Sequence, residues 1–482
     1  MPPQLRDTTM NPDEFRRHAH RLADWMADYF RDVGHLPVTP AVKPGDIIRS
    51  LPDAPPSSGE PFDQLLQDFR DLIMPGMTLW NHPGWFGYFP ANNSPPSVLA
   101  EMLTATLGAQ CMSWVTSPAA TELEQVTMNW LRRMIDLPEE FTGVIQDTAS
   151  TATLVALLSA RERATGNLAG SAGLAGGPRL TVYTSSEAHS SVEKGVKLAG
   201  YGLEWLRRVA VDPAYAMLPE ALEQAIRSDI EAGHTPACVV ATAGTTSSTA
   251  VDPLPAIAEI CRRYRIWLHV DAAYAGSAAI VPELRRWFSG IEQADSLVFN
   301  PHKWLLVNFD CSAYFVQDPA MLVRTFRTAP EYLRTDQDPD VVNYRDWGIP
   351  LGRRFRALKL WFVIRSYGVE GLRAMIRTHV ALARELAGWV EETPGFELMA
   401  PVPFGLVCFR YRPAGLSDAQ ADELNRLLLA RVNAERRVFL THTELGGRYV
   451  IRMAVGQRST GRAEVLEAWQ LIRTHAERLR SR

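Results

Sequence analysis

The sequence predicts an α/β fold with a mainly parallel central sheet, a smaller C-terminal α+β domain and an N-terminal helical extension. From about residue 140, short β-branched runs alternate with longer helical ones, a pattern typical of a parallel sheet covered by helices. The chain has 482 residues, more than one hydrophobic core usually serves. We therefore expect an extension at 1–85, a large α/β domain at 86–360 and a small domain at 361–482.

The extension begins with a predicted helix. Asn11 is a good N-cap, Pro12 suits the first helical position, and Glu14 stands where a capping box needs a carboxylate. Apolar residues between Phe15 and Tyr29 recur every three or four positions, which predicts one apolar stripe. The proline-rich stretch at 36–61 then predicts an extended connector.

Short apolar runs predict the strands of both domains. In the large domain they lie at 180–183, 237–241, 266–270, 297–299 and 313–316. In the C-terminal segment they lie at 406–411 and 449–454, before a closing helix from Arg462. The Gly/Ala-rich piece at 165–178 predicts a flexible surface loop without a function.

Composition excludes several classes of function. The charged fraction is 22% and the formal net charge is −4, so the chain offers no basic field for nucleic acid or an anionic membrane. No apolar stretch approaches bilayer length. The five cysteines are scattered and odd in number, which favours a reducing, cytoplasmic compartment. The composition is compatible with a small neutral or zwitterionic ligand, and no metal site is predicted.

Lys303 follows the apolar run at 296–299 and is the candidate nucleophile. Burial disfavours the charged form of an amine, and only the neutral amine attacks a carbonyl to form a Schiff base. A lysine at a strand end more often extends its amine to solvent. The residues around Lys303 therefore decide between these two interpretations.

Asp271 ends the buried run at 266–270. A carboxylate at the top of a parallel strand is costly unless a cation meets it. The protonated ring nitrogen of pyridoxal phosphate is such a cation, and this cofactor pairs a Schiff-base lysine with an aspartate. The alternative is that Asp271 caps the turn that follows.

Four further features lie just after predicted strands or at the start of a predicted helix. The segment at 146–153, which contains Ala149 and Ser150, places small hydroxyl residues at a helix N-terminus, a position that suits a phosphate. Asn300 offers a side-chain amide, and His189 and Thr246 each lie just past a strand. Each feature alone is an ordinary cap, loop or structural residue. Together they all fall at the carboxyl ends of successive strands.

The motifs around these residues resemble a known family. His-Val-Asp-Ala-Ala-Tyr-Ala-Gly at 269–276, Asn-Pro-His-Lys-Trp-Leu at 300–305 and Ser-Pro-Ala-Ala-Thr-Glu-Leu-Glu at 117–124 are similar to those of the group II pyridoxal-phosphate decarboxylases, in particular the aromatic L-amino acid decarboxylases. The resemblance runs from about residue 11 to the C-terminus. It implies fold type I, the aspartate aminotransferase-like fold, and a homodimer with sites at the subunit interface.

The resemblance also implies roles for individual residues. Lys303 would hold pyridoxal 5'-phosphate, Asp271 would keep the pyridine nitrogen protonated, and His189 would stack on the ring. The implied cofactor contacts are Ala149, Ser150, His189, Thr246, Asp271, Asn300 and Lys303.

Tyr332 bears on the outcome of the reaction. It precedes an acidic, proline-containing stretch that predicts a mobile loop. In the family, tyrosine at this position accompanies simple decarboxylation, and phenylalanine accompanies oxidative deamination to an aldehyde. The resemblance thus implies three catalytic residues, Lys303, His189 and Tyr332. Tyr332 would donate a proton to the α-carbon when the loop closes. Without the resemblance, an exposed loop aromatic would be the preferred interpretation.

The resemblance further implies a substrate pocket. Aromatic walls favour flat side chains, and a glycine leaves room for a larger ring than the serine common in relatives that act on imidazole or phenol substrates. The matching residues are Trp80, Tyr88, Phe89, Pro90, Gln110, Met112 and Gly352. Ala91, Gln110 and Met112 replace the threonine, isoleucine and phenylalanine of animal DOPA decarboxylase. The expectation is therefore decarboxylation of tryptophan, or of a broad aromatic range.

Two other functions compete with this prediction. An aromatic aldehyde synthase shares the fold and the cofactor, but His189 and Tyr332 argue against it. A catalytically silent cofactor-binding protein would keep the scaffold alone. The complete set of Lys303, Asp271 and His189 argues against that.

Overall fold

The computed structural model describes residues 10–328, 330–333, 336–338 and 340–480. The strands are β1 (Thr142–Gln146), β2 (Leu180–Ser185), β3 (Leu206–Val209), β4 (Thr235–Thr242), β5 (Trp267–Asp271), β6 (Ser296–Phe299), β7 (Ser312–Val316), β8 (Phe396–Leu398), β9 (Leu406–Tyr411), β10 (Thr441–Leu445) and β11 (Arg448–Ala454). The α-helices are α1 (Pro12–Asp32), α2 (Asp46–Ser50), α3 (Phe62–Asp68), α4 (Pro95–Leu107), α5 (Pro118–Met134), α6 (Ala149–Ala164), α7 (Ala169–Ala172), α8 (Ser190–Leu198), α9 (Pro219–Glu231), α10 (Leu254–Tyr264), α11 (Pro301–Trp304), α12 (Pro319–Phe326), α13 (Arg356–Glu392), α14 (Asp418–Ala434) and α15 (Arg462–Arg480).

The N-terminal helix begins where the capping pattern predicts. The Asn11 side chain accepts hydrogen bonds from the backbone N–H groups of Asp13 and Glu14, and the Glu14 carboxylate accepts from the Asn11 backbone. These bonds satisfy donors that a helix start leaves free. The capping-box prediction is therefore confirmed.

The large sheet has seven strands in the order β1-β7-β6-β5-β4-β2-β3. The neighbours from β6 through β5, β4 and β2 to β3 are parallel, and β7 runs antiparallel to both β6 and β1. The prediction of a mainly parallel sheet is confirmed. Because β1 then points the same way as β6, the carboxyl ends of β1, β2, β4, β5 and β6 meet at one edge.

The second sheet is antiparallel, in the order β10-β11-β9-β8. It packs with helices α13, α14 and α15 around a separate apolar core. In that core the Phe409 and Trp469 rings meet edge to face, with centroids 5.8 Å apart. The predicted smaller α+β unit is therefore present.

Helix α13 links the two sheets. It contacts α4 and α5 in its first part and β8 and β9 further on. Gly368 interrupts the helix with φ of 64°, a conformation that glycine adopts at little steric cost. The predicted domain boundary at 360 and 361 lies inside this helix, and the division at 85, 360 and 482 remains a prediction. Within the described ranges, no helix is both long and apolar enough to cross a membrane.

Candidate active site

The carboxyl edge of the large sheet carries the predicted site. Strand β5 ends at Asp271, and β6 is followed by Asn300 and by the short helix α11, which contains Lys303. His189 caps helix α8 after β2, and Thr246 follows β4. The parallel order of these strands therefore gathers residues that are more than a hundred positions apart in sequence.

A cavity of about 540 Å³ opens beside Lys303. Its wall is mainly aromatic and apolar, which suits a flat apolar side chain. The lining residues are Trp80, Tyr88, Phe89, Pro90, Ala91, His189, Thr246, His302, Lys303 and Phe309. Four of the predicted substrate residues therefore share one cavity with the predicted lysine, histidine and threonine.

The amine of Lys303 is in a low-polarity environment. Its Nζ atom lies 5.5 Å from the centre of the Phe89 ring. Burial lowers the pKa of Lys303, and the nearby charge of Arg452 lowers it further, while the carboxylate of Asp271 acts in the opposite direction. The neutral amine that attack on a carbonyl requires is thus favoured, as the sequence predicts.

His189 presents a neutral ring to the cavity. Its Nδ1 atom accepts a hydrogen bond from the Ser191 backbone N–H at 3.1 Å and lies 2.8 Å from the Ser191 hydroxyl. Burial lowers the pKa of His189, and the charge of Lys303 lowers it further. A neutral imidazole with a fixed orientation suits stacking on a flat cofactor.

Asp271 has an oxygen available for a cationic partner. It is buried, and its Oδ1 atom accepts from the Ala273 backbone N–H at 2.9 Å, so Asp271 does cap the next turn. Among the described residues, none donates a hydrogen bond to its Oδ2 atom. Capping and pairing with a protonated ring nitrogen are therefore compatible, and the small Ala272 and Ala273 leave space nearby.

The start of helix α6 provides donors for a phosphate. Thr148 is the N-cap, and its hydroxyl accepts from the Thr151 backbone N–H. Ala149 and Ser150 occupy the first two helical positions, where backbone N–H groups have no partner within the helix. The side-chain Oδ1 atom of Asn300 accepts from the Ser312 hydroxyl at 2.7 Å, which leaves the side-chain Nδ2 atom for another partner. These neutral donors fit a cofactor phosphate.

A comparison with known families gives the decisive match. The model of the pyridoxal-dependent decarboxylase conserved domain matches residues 44–412. The chain belongs to the pyridoxal-dependent decarboxylase family. Within this family its relatives place it in the aromatic amino acid decarboxylase group. Its cofactor is pyridoxal 5'-phosphate, which, when bound, takes up the electron pair that a departing carboxylate leaves behind.

Individual relatives of this decarboxylase match over almost their whole length. Phenylacetaldehyde synthase of Arabidopsis thaliana is 44% identical, with 98% of this chain and 97% of the relative covered. Tyrosine decarboxylase 4 of Petroselinum crispum is 42% identical, with 98% and 95% covered. The crystal structure of Oryza sativa TDC with PLP and tryptamine matches with a TM-score of 0.94 at 39% identity, covering 98% of this chain and 99% of that one. The predicted fold type I is therefore confirmed.

Three predicted substrate residues of the decarboxylase lie outside the cavity of their own chain. Gln110 accepts a hydrogen bond through Oε1 from the Arg353 backbone N–H at 2.7 Å, next to Gly352. The Met112 carbonyl accepts from the Arg345 backbone N–H at 2.8 Å. Gln110, Met112 and Gly352 are therefore close to one another, but none of them lines the cavity beside Lys303.

Tyr332 belongs to a single 3₁₀ turn, Glu331–Leu333. Its side chain lies outside the part of the molecule that the structure describes, as do residues 334 and 335. The proposed proton transfer from Tyr332 therefore remains a prediction.

Sequence reasoning missed two residues that shape the site. His302 lines the cavity, and its Nδ1 atom accepts from the Cys311 backbone N–H at 2.9 Å. Burial, together with the charge of Lys303, lowers the pKa of His302 to about 3, so its ring is neutral. Its place next to Lys303 in the motif was the available signal.

Arg452 is the second missed residue. It is only 3% exposed and donates to the Thr246 carbonyl at 2.6 Å and to the Ser247 carbonyl at 3.2 Å. Its Cζ atom lies 5.3 Å from the centre of the Phe89 ring. Burial lowers the pKa of this guanidinium. An arginine inside the predicted buried strand at 449–454 was the signal that could have identified it.

No group of three or more histidine, cysteine, aspartate or glutamate side chains in the described ranges is arranged to hold a metal ion.

Proposed function

We propose that this decarboxylase converts aromatic L-amino acids, with tryptophan among the preferred ones, to arylalkylamines and CO2 without forming an aldehyde. The aromatic cavity with the Lys303 amine at its side carries this proposal. The bound tryptamine in the Oryza sativa relative supports an indole-sized substrate. In the homodimer proposed below, the glycine at position 352 would add no side chain to the partner's cavity, which leaves room there for an indole ring.

The site residues would divide the work as follows. Lys303, whose pKa is lowered by desolvation of its amine, would hold the cofactor aldehyde and release it to the substrate amine. Asp271 would keep a proton on the pyridine nitrogen, and His189 would hold the ring plane. The N–H groups of Ala149 and Ser150, with Asn300, would bind the phosphate, and Thr246 would lie beside the ring.

The wall residues would orient the substrate. Trp80 and Tyr88 stack with centroids 5.5 Å apart, and Phe89 stacks on Tyr274 at 3.9 Å. Such rigid rings restrict how a flat side chain can enter, and orientation of the α-carboxylate perpendicular to the cofactor plane selects the bond that breaks.

Tyr332 would donate a proton to the α-carbon after CO2 leaves. Replacement of Tyr332 by phenylalanine tests this role, because a carbanion that is not protonated becomes open to oxygen. We expect Tyr332→Phe to consume oxygen and release aldehyde, ammonia and hydrogen peroxide. Tyr264→Phe is the control, because Tyr264 lies on helix α10 and does not line the cavity. A Tyr332→Phe enzyme that makes only amine at the parent rate would remove this role.

An aromatic aldehyde synthase is the second candidate, favoured by the phenylacetaldehyde synthase relative. A peroxide assay during turnover of the unmodified enzyme separates the two activities. Peroxide in a one-to-one ratio to CO2 would favour the synthase.

We also propose that the enzyme is a homodimer. Helix α4 exposes an apolar stripe of Leu99, Met102, Leu103 and Leu107. Such a stripe is unusual on a surface that meets only water. A second copy of the chain that covers this stripe would also explain why Gln110, Met112 and Gly352 lie away from their own cavity, since they would line the partner's.

A single charged substitution in this stripe tests whether it forms the dimer interface. Leu103, 48% exposed, would become aspartate, and Leu198, 66% exposed on helix α8, would be the matched control. We expect Leu103→Asp to sediment as a monomer without activity and Leu198→Asp to remain dimeric and active. A dimeric, active Leu103→Asp enzyme would exclude α4 from the interface.

A cytoplasmic location is part of the proposal. All five cysteines are buried and free, as a reducing compartment favours. Titration of the denatured, freshly purified enzyme with a thiol reagent should find five reactive thiols.

A further inference from the structure

Asn92 connects the substrate wall to the main chain of the catalytic lysine. Its side chain is 1% exposed. The Nδ2 atom donates to the Lys303 carbonyl at 2.9 Å and to the Gly456 carbonyl at 2.7 Å, and the Oδ1 atom accepts from the Arg458 backbone N–H at 2.9 Å. The Asn92 backbone N–H also donates to the His302 carbonyl at 3.1 Å.

The Lys303 carbonyl needs such a donor. Helix α11 has only four residues, so the carbonyls at its end have no partner within the helix. The Lys303 backbone N–H is bonded to the Asn300 carbonyl at 2.9 Å. Among the described residues, Asn92 makes the one side-chain hydrogen bond to the main chain of Lys303. Asn92 thus restrains the peptide from which the reactive amine extends.

The same residue restrains the wall of the cavity. Asn92 follows Pro90 and Ala91, which line the cavity. Pro90 packs closely on the segment that Asn92 binds, because a Cβ atom at Gly456 would lie only 2.9 Å from Pro90 Cγ. The wall, the lysine peptide and the segment at 456–458 are therefore joined through one buried amide.

We propose that Asn92 is a positioning residue that fixes the amine of Lys303 relative to the substrate wall. This inference rests on the proposed function, in which that amine binds the cofactor. The amide has two donors and an acceptor in use, and a carboxylate of the same shape has no donor for either carbonyl. Loss of the donors leaves the Lys303 carbonyl unpaired and frees the lysine peptide to shift.

The test compares Asn92→Ala and Asn92→Asp with Asn93→Ala. Asn92→Asp keeps the shape and the acceptor for Arg458 but loses both donors. Asn93 is adjacent and less buried, and its side chain makes no hydrogen bond within the described ranges, so it is the matched control. Each holoenzyme is measured for kcat and KM, for the pH midpoint of the visible absorbance of the lysine-bound cofactor, and for thermal stability.

We expect both Asn92 variants to lose about tenfold in kcat with KM changed less than about twofold, since small misplacements of reacting groups are costly. The absorbance midpoint should also shift, a change that a purely structural role would not cause at equal cofactor occupancy. Asn93→Ala should match the parent enzyme in every measurement.

Three results would overturn the proposal: parent-like kcat and absorbance midpoint in Asn92→Asp, equal losses in Asn93→Ala, or failure of both Asn92 variants to fold, which would assign Asn92 to stability alone. Borohydride labelling of the parent enzyme separates this failure from that of the proposed function. If Lys303 of the parent enzyme is labelled, the proposed function stands and the failure concerns only the role of Asn92.

Discussion

The amine of Lys303 lies 5.5 Å from the centre of the Phe89 ring, and this contact relates the reactive group to the substrate wall. Phe89 stacks on Tyr274 at 3.9 Å, and Tyr274 stacks on Trp304 at 4.6 Å. The amine therefore lies beside one end of a column of aromatic rings. The same column that favours the neutral amine also gives a flat substrate side chain its surface.

Lys303→Ala should abolish turnover and the visible absorbance of bound cofactor, because Lys303 is the one lysine that lines the cavity among the residues that the structure describes. Borohydride reduction and peptide mapping of the parent enzyme should place the label on Lys303. Lys359, whose pKa burial lowers to about 8, is the competing reactive amine. Label on Lys359 instead of Lys303 would contradict this assignment.

Gly352→Ser should shift preference away from the indole ring. A Cβ atom at Gly352 would lie 3.2 Å from Gln110 Nε2, so a serine crowds the region that holds Gln110 and Met112. We expect kcat/KM for tryptophan to fall about tenfold relative to tyrosine, within the range that pocket contacts supply. Equal losses for tryptophan and tyrosine would mean that position 352 affects stability but not selection.

Glu124→Gln should destabilise the enzyme. Arg353 and Glu124 form a buried ion pair, with Nη2 and Oε1 2.7 Å apart, and Glu124 also accepts from the Ile145 backbone N–H. Removal of one charge leaves the other buried, which costs about 3 kcal/mol. Denaturant unfolding should show this loss.

The exposed pair between Arg377 and Glu283 is the control for that experiment. Glu283→Gln should cost less than about 1 kcal/mol, because exposed pairs contribute little. Similar costs at both sites would contradict the importance assigned to burial. Because Arg353 binds Gln110, we also expect Glu124→Gln to raise KM for tryptophan.

Stability should fall as the pH drops below about 6.5, the ordinary histidine value. Burial lowers the pKa of His269 and His379 to about 4 and that of His302 to about 3. Between these values and 6.5 the unfolded chain binds more protons, so protons favour unfolding. Thermal unfolding at pH 7.5, 6.5 and 5.5 should show the decline.

His379→Gln removes the contribution of one histidine to the change of stability with pH. Burial raises the pKa of Asp252 to about 6, so this carboxyl stabilises the folded state as the pH falls, opposite to the histidines. The variant is therefore compared with the parent enzyme at each pH. We expect a smaller decline below pH 6.5 in His379→Gln. The exposed His20→Gln on helix α1 should keep the parent slope, and an unchanged slope in His379→Gln would exclude its role.

The strand ends of the site could be predicted because parallel strands bring their carboxyl ends together. Apolar runs identified β5 and β6, and the polar residues that follow them were placed correctly at one edge. Strand β3 was missed because it is an edge strand that carries the partly exposed Arg207 and the exposed Arg208. Strand β1 was missed because it contains Gly143 and only two apolar residues, Val144 and Ile145.

Contacts between distant segments could not be predicted in this way. Asn92 and Gly456 are 364 positions apart, and Arg452 and Thr246 are 206 apart. Neither pair follows from periodicity or local motif chemistry, because the partners meet only when the small sheet packs on the large domain. The location of Gln110, Met112 and Gly352 outside their own cavity likewise depends on tertiary packing.

The products of the unmodified enzyme show directly whether it forms amines or aldehydes. The holoenzyme should be incubated under air with tryptophan, 5-hydroxytryptophan, DOPA, tyrosine, phenylalanine and histidine, with amine, CO2 and hydrogen peroxide measured together. We predict amine equal to CO2, negligible peroxide, and turnover of tryptophan well above that of histidine. Aldehyde and peroxide in step with CO2, or equal turnover of histidine and tryptophan, would contradict the account.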